Sequence, residues 1–348
     1  MQGLPKHTMS GISLNDSLLM DLTINKAWEY QGIAYPNPAV ASLVTDKYGQ
    51  IIALEAHHKS GTSHAEVLTL LKAYEHLTNQ KVDIDRFDSY AVHNFLLENS
   101  KNIFKDCSIY VTLEPCSHVG QTPSCASLIA SLGLKKVAIG MIDPIANHSG
   151  GVEMLRSKGI EVIVDVQPKR TNDLLEPFNI WQKRAFVLFK LAQSHNGKIG
   201  GGYLSSQNSL NHTHKLRNVA SKMIIGGNTV RIDRPTLDCR FLEEGVAPDI
   251  HIYSREDNFE RDIPLFNIPN RSVEVGNDLS FLDTPSFILV EGGEGMLHAM
   301  KDKIDWLLTY QTPKIIENTL DYKLNLELET LHAQRSGVDR MIWSKVKR

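Results

Sequence analysis

The sequence has few cysteines, no long apolar run and no large excess of either charge. Its four cysteines are Cys107, Cys116, Cys125 and Cys239. They are too few and too unevenly spaced for the disulfide framework of a secreted scaffold, so we expect reduced thiols or metal ligands. No segment has the run of about 20 apolar residues that a transmembrane helix needs. Because Asp16 and Asp21 interrupt the N-terminal leucine-rich stretch, we expect no signal peptide and predict a cytoplasmic protein.

The 37 basic and 40 acidic side chains give a formal net charge of −3. The chain therefore lacks the positive surface that binding to a nucleic-acid backbone requires, and we expect neither a nucleic acid nor a membrane as partner. With 42% hydrophobic and 22% charged residues, the composition is that of an ordinary globular protein. At about 100–200 residues per domain, 348 residues suggest two domains.

The first half of the sequence alternates short apolar strands with helical patterns. Strands are predicted at 39–45, 51–56, 108–113, 136–141 and 160–164, and the first two are joined by a hairpin turn. Helices are predicted at 64–73, 123–132 and 151–158, with Thr122 as N-cap of the second and Gly133 past its end. This alternation indicates a mainly parallel α/β sheet with helices on both faces.

Two polar segments interrupt this pattern. Residues 79–105 are interpreted as a partly helical insertion on the surface, and residues 167–183, with two prolines, as a connection between domains. We therefore place a domain boundary near Ile180, giving domains at 1–180 and 181–348. The second half is a further α/β unit, with strands predicted at 186–192, 223–225 and 286–290 and helices at 214–221 and 296–301.

The strongest chemical pattern combines His64 and Glu66 with Cys116 and Cys125. One imidazole and two thiolates are a suitable set of three zinc ligands that leaves a fourth position for water. Bound zinc lowers the pKa of that water to about 7, and a neighbouring carboxylate such as Glu66 can carry its proton. Zinc nucleobase deaminases have H-x-E with P-C-x-x-C, and here eight residues instead of two separate the cysteines.

Each of these residues also has a structural interpretation. Ser63 and Glu66 have the spacing of a capping box, in which Glu66 would only help to begin a helix. A single cysteine is usually a small core residue. In the second half, the strand at 286–290 is followed by a turn with Gly292 and Gly293. This turn either lets backbone amides approach a phosphate or is simply a tight turn with no binding role. It is not the G-x-G-x-x-G of a Rossmann domain.

The sequence TLEPCSHVGQTPSC at 112–125 resembles that of the bifunctional riboflavin-biosynthesis deaminase-reductases. Further similar fragments are 36–38, 57–66 and 143–144 in the first half, and 190–198, 229–240 and 290–295 in the second. The resemblance implies a cytidine-deaminase-like α/β/α zinc domain followed by a dihydrofolate-reductase-like α/β domain. It covers most of the chain.

The resemblance also implies roles for individual residues. In the first domain His64, Cys116 and Cys125 would bind one Zn²⁺ and Glu66 would be catalytic. Asn37, His57 and His118 would contact substrate there. In the second domain the substrate would be bound by Ser206, Arg217, Leu237, Arg240 and Glu291. The NADPH cofactor would be bound by Gln193, Asn208, Thr229, Asp233, Gly293, Glu294 and Gly295. Lys190 is either a charge near the reacting carbon or an exposed lysine at a strand end.

This sequence departs from the family pattern at several positions. Gln121 replaces a basic residue and Ser124 a common proline in the first half. In the second half Asn196 replaces an aspartate, Asn208 a common tryptophan and Arg234 an acidic residue. Arg234 is either a contact to the 2′-phosphate of NADPH or a solvated surface arginine.

The sequence thus predicts a two-step enzyme of riboflavin synthesis that acts on a small phosphoribosyl-pyrimidine substrate. Zinc-dependent hydrolysis would remove the 2-amino group of a diaminopyrimidinone ribosyl phosphate, and NADPH would then reduce its ribosyl group to ribityl. One alternative is a zinc deaminase of nucleosides or tRNA with a non-catalytic C-terminal domain. Another is a zinc-stabilised structural protein. The oligomeric state is left open, with a homo-oligomer as one alternative.

Overall fold

The structure is a computed structural model that describes residues 14–145, 149–200, 204–317 and 320–348. These residues form two compact units that divide between Glu176 and Pro177, called here the N-terminal and the C-terminal unit. The expectation that the chain has no signal peptide concerns chiefly residues 1–13, which lie outside the described residues. Within the described ranges, no helix is both long enough and apolar enough to cross a membrane.

The N-terminal unit contains a five-stranded sheet of order β2-β1-β3-β4-β5. Its strands are β1 (Ala41–Thr45), β2 (Ile51–Ala56), β3 (Ser108–Val111), β4 (Lys136–Ile139) and β5 (Glu161–Ile163). β1 runs antiparallel to β2 and β3, whereas β3, β4 and β5 are parallel. The predicted β1–β2 hairpin is confirmed, and its turn is held by the Asp46 carboxylate, which accepts from the amides of Tyr48 and Gln50.

Five helices of this unit are α1 (Leu14–Trp28), α2 (Ala65–Thr78), α3 (Ser89–Asn99), α4 (Cys125–Leu132) and α5 (Gly151–Ser157). The sequence analysis did not predict α1, although Met20, Ile24 and Trp28 form a buried stripe along it. Asp16 lies within the same helix and is itself buried, where its carboxylate accepts from Lys136 and from the Tyr110 hydroxyl. The acidic residue that interrupts the apolar stretch is therefore part of the packing.

The polar insertion at 79–105 is partly helical, as predicted, because it contains α3. The prediction that it lies on the surface is wrong for some of its apolar residues, although Phe87, Tyr90 and Leu97 are exposed. Val92, Leu96 and Phe104 are fully buried, and α3 packs against both α2 and α4. The insertion thus contributes to the core of the N-terminal unit.

The structure also corrects one predicted helix cap and one alternative interpretation of a helix start. Thr122 is not the N-cap of α4, because the helix begins at Cys125 and the Ser124 hydroxyl accepts from the Ser127 amide at 3.1 Å. The capping box of the alternative interpretation of Glu66 is absent as well, since the N-cap position is His64 and no side-chain cap bond is formed. Glu66 is therefore not needed to begin its helix.

The predicted connection at 167–183 is instead helix α6 (Pro168–Trp181). Leu174, Leu175 and Phe178 lie on one buried face of this helix, which outweighs the polar composition of its other faces. Pro168 suits a first helical position, and Pro177 lies inside the helix. The division between the two units and the predicted boundary near Ile180 both lie in α6.

The C-terminal unit contains an eight-stranded sheet of order β12-β13-β11-β6-β10-β7-β8-β9. Its strands are β6 (Ala185–Gln193), β7 (Lys222–Gly226), β8 (Asp249–Tyr253), β9 (Val273–Gly276), β10 (Ser286–Glu291), β11 (Trp306–Gln311), β12 (Leu328–Ser336) and β13 (Asp339–Val346). Its helices are α7 (Gln207–Val219), α8 (Gly227–Asp233) and α9 (Glu294–Met300).

Strands β6 to β11 are parallel, and β13 runs antiparallel both to β11 and to its hairpin partner β12. The central strands β6 and β10 are almost entirely buried. Because parallel strands end at one edge of the sheet, the loops after β7, β8 and β10 open on the same side, where open α/β sheets bind ligands. Both units are α/β, as predicted.

Candidate active sites

Three potential metal ligands converge at the N-terminal ends of two helices in the N-terminal unit. His64 directly precedes α2, and Cys125 is the first residue of α4. Cys116 lies in the loop after β3, and this loop is fixed to α4 because the Cys116 carbonyl accepts from the Ala126 amide and the Ser124 hydroxyl. Two helix starts and one strand end thus bring residues distant in sequence to one point.

The distances between these ligand atoms suit a tetrahedral zinc ion. The Nδ1 atom of His64 lies 3.8 Å from Cys116 Sγ and 3.4 Å from Cys125 Sγ, and all three atoms lie within 4.8 Å of one another. Zinc bonded to nitrogen at about 2.0 Å and to sulfur at about 2.3 Å would separate those atoms by about 3.5 Å. The donor set and its spacing therefore fit zinc.

The two thiols of this cluster share their protons unequally. The hydrogen bond from Cys125 and the nearby His64 lower the pKa of Cys116. Together they outweigh burial, which would raise this pKa. The pKa of Cys125 is raised, because its proton is held by Cys116 and because the thiol is buried. Cys116 is therefore the first of the pair to become a thiolate, the form that binds metals.

Glu66 lies beside the cluster without belonging to it. Its side chain is buried, and burial raises its pKa to about 7, although the nearby His64 opposes this. A carboxyl group that titrates near neutral pH both accepts and donates a proton readily, which is what general acid–base catalysis requires.

Two of the three predicted substrate residues lie next to these groups. The ring of His57 meets the ring of His64 edge-on at 5.4 Å, and its Nε2 atom lies 3.0 Å from the amide nitrogen of Asn37. Burial lowers the pKa of His57 to about 4, so this ring is neutral at pH 7. His118, the third, is half-buried two residues after Cys116 and lies over Gly120.

Two further residues support the cluster and were missed by the sequence analysis. The Thr122 hydroxyl lies 3.2 Å from His64 Nε2. If Nε2–H donates a hydrogen bond to this hydroxyl, the lone pair of His64 Nδ1 is free to bind a metal. The buried Glu114 carboxylate accepts from the amides of Asp143, Gly150 and Val152. Glu114 therefore holds Asp143 and the start of α5 against the loop that contains Cys116.

A cavity of about 1440 Å³ lies at the carboxyl ends of the parallel strands in the C-terminal unit. It is lined by nine of the residues predicted to bind substrate or cofactor there: Arg217, Thr229, Asp233, Leu237, Arg240, Glu291, Gly293, Glu294 and Gly295. Ideal Cβ atoms on Gly293 and Gly295 would meet no other atom within 4 Å, so the backbone of this turn faces open space. The turn is thus accessible to a bound molecule.

A buried group of three charges forms part of this cavity. The Glu291 carboxylate accepts from Arg217 Nε at 2.8 Å and Arg217 Nη2 at 2.9 Å, and Lys190 Nζ lies 3.6 Å away. Burial would raise the pKa of Glu291, but the charges of Arg217 and Lys190 outweigh it and lower the pKa to about 2. Burial and the charge of Arg217 lower the pKa of Lys190. Lys190 is therefore not the exposed lysine of the alternative interpretation.

Three predicted residues do not line the cavity. The Gln193 side chain accepts from the Tyr322 hydroxyl at 2.5 Å. The Ser206 hydroxyl donates to the Ser336 carbonyl, and Asn208 packs against the turn at Gly337. Ser206 and Asn208 stand at the start of α7, whose first turn faces the β12–β13 hairpin, and their binding roles stay predictions.

Two of the remaining departures from the family pattern form local contacts. Arg234 is exposed at the cavity wall and forms ion pairs with Glu260 and Asp262. Asn196 stabilises a turn by accepting from the Ser194 hydroxyl at 2.7 Å. The cavity also contains Ser254 and Arg255, which follow β8. The sequence analysis missed both because it did not recognise β8 as a strand.

Comparisons with known proteins cover both units. Residues 13–141 match the family model described as the cytidine and deoxycytidylate deaminase zinc-binding region. The chain is 31% identical to the riboflavin biosynthesis protein RibD of Aquifex aeolicus over 340 residues, which cover 95% of this chain and 83% of that protein. It is 33% identical to RibD of a Synechocystis species over 214 residues, which cover 59% of this chain and 50% of that protein.

A solved structure is also similar over the whole chain. The diaminohydroxyphosphoribosylaminopyrimidine deaminase and 5-amino-6-(5-phosphoribosylamino)uracil reductase of Thermotoga maritima is 26% identical, with a TM-score of 0.65. The similarity covers 96% of this chain and 99% of that one. The predicted fold class, a cytidine-deaminase-like unit followed by a reductase-like α/β unit, is confirmed, and the matched zinc-binding region agrees with the His–Cys–Cys cluster.

Proposed function

This chain belongs to the RibD family of riboflavin biosynthesis proteins, and we propose that it acts on a diaminopyrimidinone ribosyl phosphate in two steps. It is a bifunctional enzyme with a deaminase unit and a reductase unit. In the first step the N-terminal unit would replace the 2-amino group by oxygen. In the second, the C-terminal unit would reduce the ribosyl group of that product to ribityl. The convergence of His64, Cys116 and Cys125 is the observation that carries this proposal.

In the N-terminal unit, His64, Cys116 and Cys125 would hold the metal. Bound zinc supplies a Lewis acid that lowers the pKa of the attacking water. Glu66 would take a proton from this water as its oxygen bonds to the ring carbon, and would pass the proton to the amino group. The carbon–nitrogen bond then breaks and ammonia leaves. His57, which lies beside His64, and Asn37, which contacts His57, would orient the pyrimidine ring.

In the C-terminal unit, the cavity is large enough for both a nucleotide cofactor and a sugar phosphate. NADPH would supply the hydride for the reduction. Thr229, Asp233 and the open turn at Gly293 and Gly295 would hold this cofactor. Residues on these loops come from the ends of several strands, as is usual for ligand sites in α/β sheets.

The substrate would lie at the charged end of the same cavity. Arg240 and Arg217 offer guanidinium groups that suit a phosphate. Glu291 holds Arg217 in position through two hydrogen bonds. Lys190, whose pKa is lowered by burial, would give up a proton to the sugar oxygen as the carbon is reduced.

One assay tests both steps. Purified, zinc-loaded protein receives the diaminopyrimidinone ribosyl phosphate and NADPH, and ammonia release and NADPH oxidation are recorded together. We expect both, with NADPH oxidation dependent on prior deamination. Ammonia without NADPH oxidation would contradict the reductase half of the proposal. Deamination of cytidine or adenosine in place of this substrate would support the nucleoside deaminase alternative.

A further inference from the structure

The cavity of the C-terminal unit includes a loop with an unfavourable backbone conformation. Residues 236–240 connect α8 to the segment before β8, and they contribute Leu237, Asp238 and Arg240 to the cavity wall. Leu237 has a φ angle of 54°, in the left-handed region that branched and bulky side chains rarely adopt. Such a conformation persists only when the surrounding structure fixes it.

Arg271, two residues before β9, holds the backbone of this loop from one side. Its Nη1 atom donates to the Thr236 carbonyl at 2.7 Å, and its Nη2 atom donates to the Leu237 carbonyl. The same guanidinium donates through Nε to the Pro248 carbonyl at 3.0 Å and through Nη1 to the Leu265 carbonyl at 3.3 Å. One side chain thus joins the loop to the start of β8 and to a neighbouring turn.

Arg217 holds the next residue of the loop from inside the cavity. Its Nη1 atom donates to the Asp238 carbonyl at 3.2 Å while the same guanidinium binds Glu291. Three consecutive carbonyl groups, those of residues 236, 237 and 238, therefore accept from two arginines. The loop is fixed relative to Glu291 through Arg217 and relative to the sheet through Arg271.

We propose that Arg271 is a positioning residue of the reductase site, which holds the 236–240 loop so that Leu237 and Arg240 face the phosphorylated substrate. This inference rests on the function proposed above. Arg271 does not line the cavity itself, so it acts through the loop. Its planar fork reaches several carbonyl oxygens at once, whereas the single ammonium group of a lysine cannot reproduce that geometry.

Hydrogen exchange tests whether Arg271 holds the loop. Amide exchange is compared in the wild-type chain, in Arg271→Lys and Arg271→Met, and in the control Arg261→Met. Arg261 is an exposed arginine whose ion pair with Asp257 lies outside the cavity. We expect exchange in 236–242 to be about tenfold faster or more in both Arg271 variants, with exchange in β6 and β10 unchanged. Unchanged exchange in 236–242 would overturn the proposal.

Kinetics test whether the loop serves phosphate recognition. With the phosphorylated substrate, we expect Arg271→Met to raise the reductase KM for that substrate about tenfold or more, with the KM for NADPH within about twofold. With the same substrate lacking its phosphate, wild type and variant should have similar kcat/KM values, because the loop then has no phosphate to bind. Ammonia release by the same preparations should be unchanged, which shows that the N-terminal unit is folded, and unchanged exchange in β6 and β10 shows the same for the C-terminal unit.

Two results would contradict this part of the proposal. One is an equal loss for substrates with and without phosphate, and the other is a rise in the KM for NADPH alone. As a further check, millimolar guanidinium should partly restore reduction by Arg271→Ala and have no effect on Arg261→Ala. If the wild-type chain showed no reduction at all, the proposed reductase function would fail, while the exchange experiment would still decide whether Arg271 holds the loop.

Discussion

The two units each bury a glutamate at their candidate sites, but in opposite environments. Glu66 is 4% exposed, and burial raises its pKa to about 7. The Glu291 side chain is 12% exposed, yet its pKa falls to about 2 because Arg217 and Lys190 outweigh the effect of burial. Burial alone therefore does not decide what a carboxyl group does; its charged neighbours do.

This difference suits two different tasks. A carboxyl group with a pKa near 7 exchanges protons at neutral pH, which a hydrolytic deamination needs. A carboxylate that stays ionised and binds an arginine through two hydrogen bonds is a fixed charge, which orients its neighbours. We therefore expect Glu66 to act in the reaction itself and Glu291 to maintain the arrangement of its site.

The largest effect should come from Glu66→Gln. The amide cannot carry the proton, so ammonia release should fall by about 10²–10⁴-fold, the usual contribution of general acid–base catalysis. Zinc content and thermal stability should stay close to those of the wild type, because Glu66 is neither part of the three-atom cluster nor needed as a helix cap.

The C-terminal unit provides the control for this variant. Glu66→Gln should still oxidise NADPH when it receives substrate that has already been deaminated. Ammonia release at the wild-type rate would contradict the role of Glu66 as proton carrier. Loss of both activities would instead indicate a folding defect.

A smaller effect, on stability, is expected for Glu291→Gln. Removing this carboxylate leaves Arg217 and Lys190 buried without their partner, which should cost roughly 3 kcal/mol of unfolding free energy at pH 7. Denaturant unfolding of the C-terminal unit, followed at pH 7, measures this difference. Glu294→Gln, at a neighbouring half-buried position in the first turn of α9, is the matched control.

The difference in unfolding free energy between the wild type and Glu291→Gln should depend on pH, and the pKa of Glu291 gives the sign of this dependence. The pKa of Glu291 in the folded chain, about 2, lies below its ordinary value of 4.5, so the ionised group stabilises the fold above about pH 4.5. This stabilisation is lost as the pH falls through 4.5 towards 2. The difference in unfolding free energy between wild type and Glu291→Gln should therefore shrink on acidification, and a difference that grew would contradict the ion-pair interpretation.

The two sites also differed in how far the sequence could predict them. A metal site needs particular donor types at helix and strand ends, and the sequence pattern of His64, Cys116 and Cys125 was sufficient to predict that they converge. The hydrogen bonds around them could not be predicted in the same way. Thr122 has the spacing of an N-cap, and only the path of the loop places its hydroxyl beside His64 instead.

The reductase site was harder to predict because its residues come from many strand ends. Strands β12 and β13 were missed, and β12 alternates between exposed and half-buried residues that give no apolar pattern. Arg271 was missed because its partners are backbone carbonyls, which no side-chain motif reveals. The β6 and β10 strands were predicted because they are buried on both faces and therefore have continuous apolar runs.

An intermediate effect is expected for Thr122→Val in the N-terminal unit. Without the hydroxyl, His64 Nε2 loses the partner that orients its ring, and zinc affinity should fall about tenfold to a hundredfold. Competition with a chromophoric chelator measures that affinity. Thr122→Ser keeps the hydroxyl and should bind zinc nearly as the wild type does. Equal affinity for all three proteins would show that Thr122 does not orient His64.

The smallest effect tests whether the 79–105 insertion contributes to the unfolding free energy of the N-terminal unit. The Asp88 carboxylate accepts from the amides of Tyr90 and Ala91, both at 3.0 Å, and so caps α3. Next to it, the Phe87 carbonyl accepts from the Ser63 amide at 3.2 Å, directly before His64. Asp88→Ala should therefore cost the N-terminal unit about 1 kcal/mol.

Urea unfolding measures this cost, and Asp88→Asn, which retains an N-cap acceptor, should lose much less. The C-terminal unit should unfold as in the wild type, and Glu291→Gln should show the converse pattern. Because Ser63 connects the insertion to the ligand His64, we also expect a modest decrease in zinc affinity for Asp88→Ala. Full stability of Asp88→Ala would mean that the cap of α3 does not contribute to the stability of the N-terminal unit.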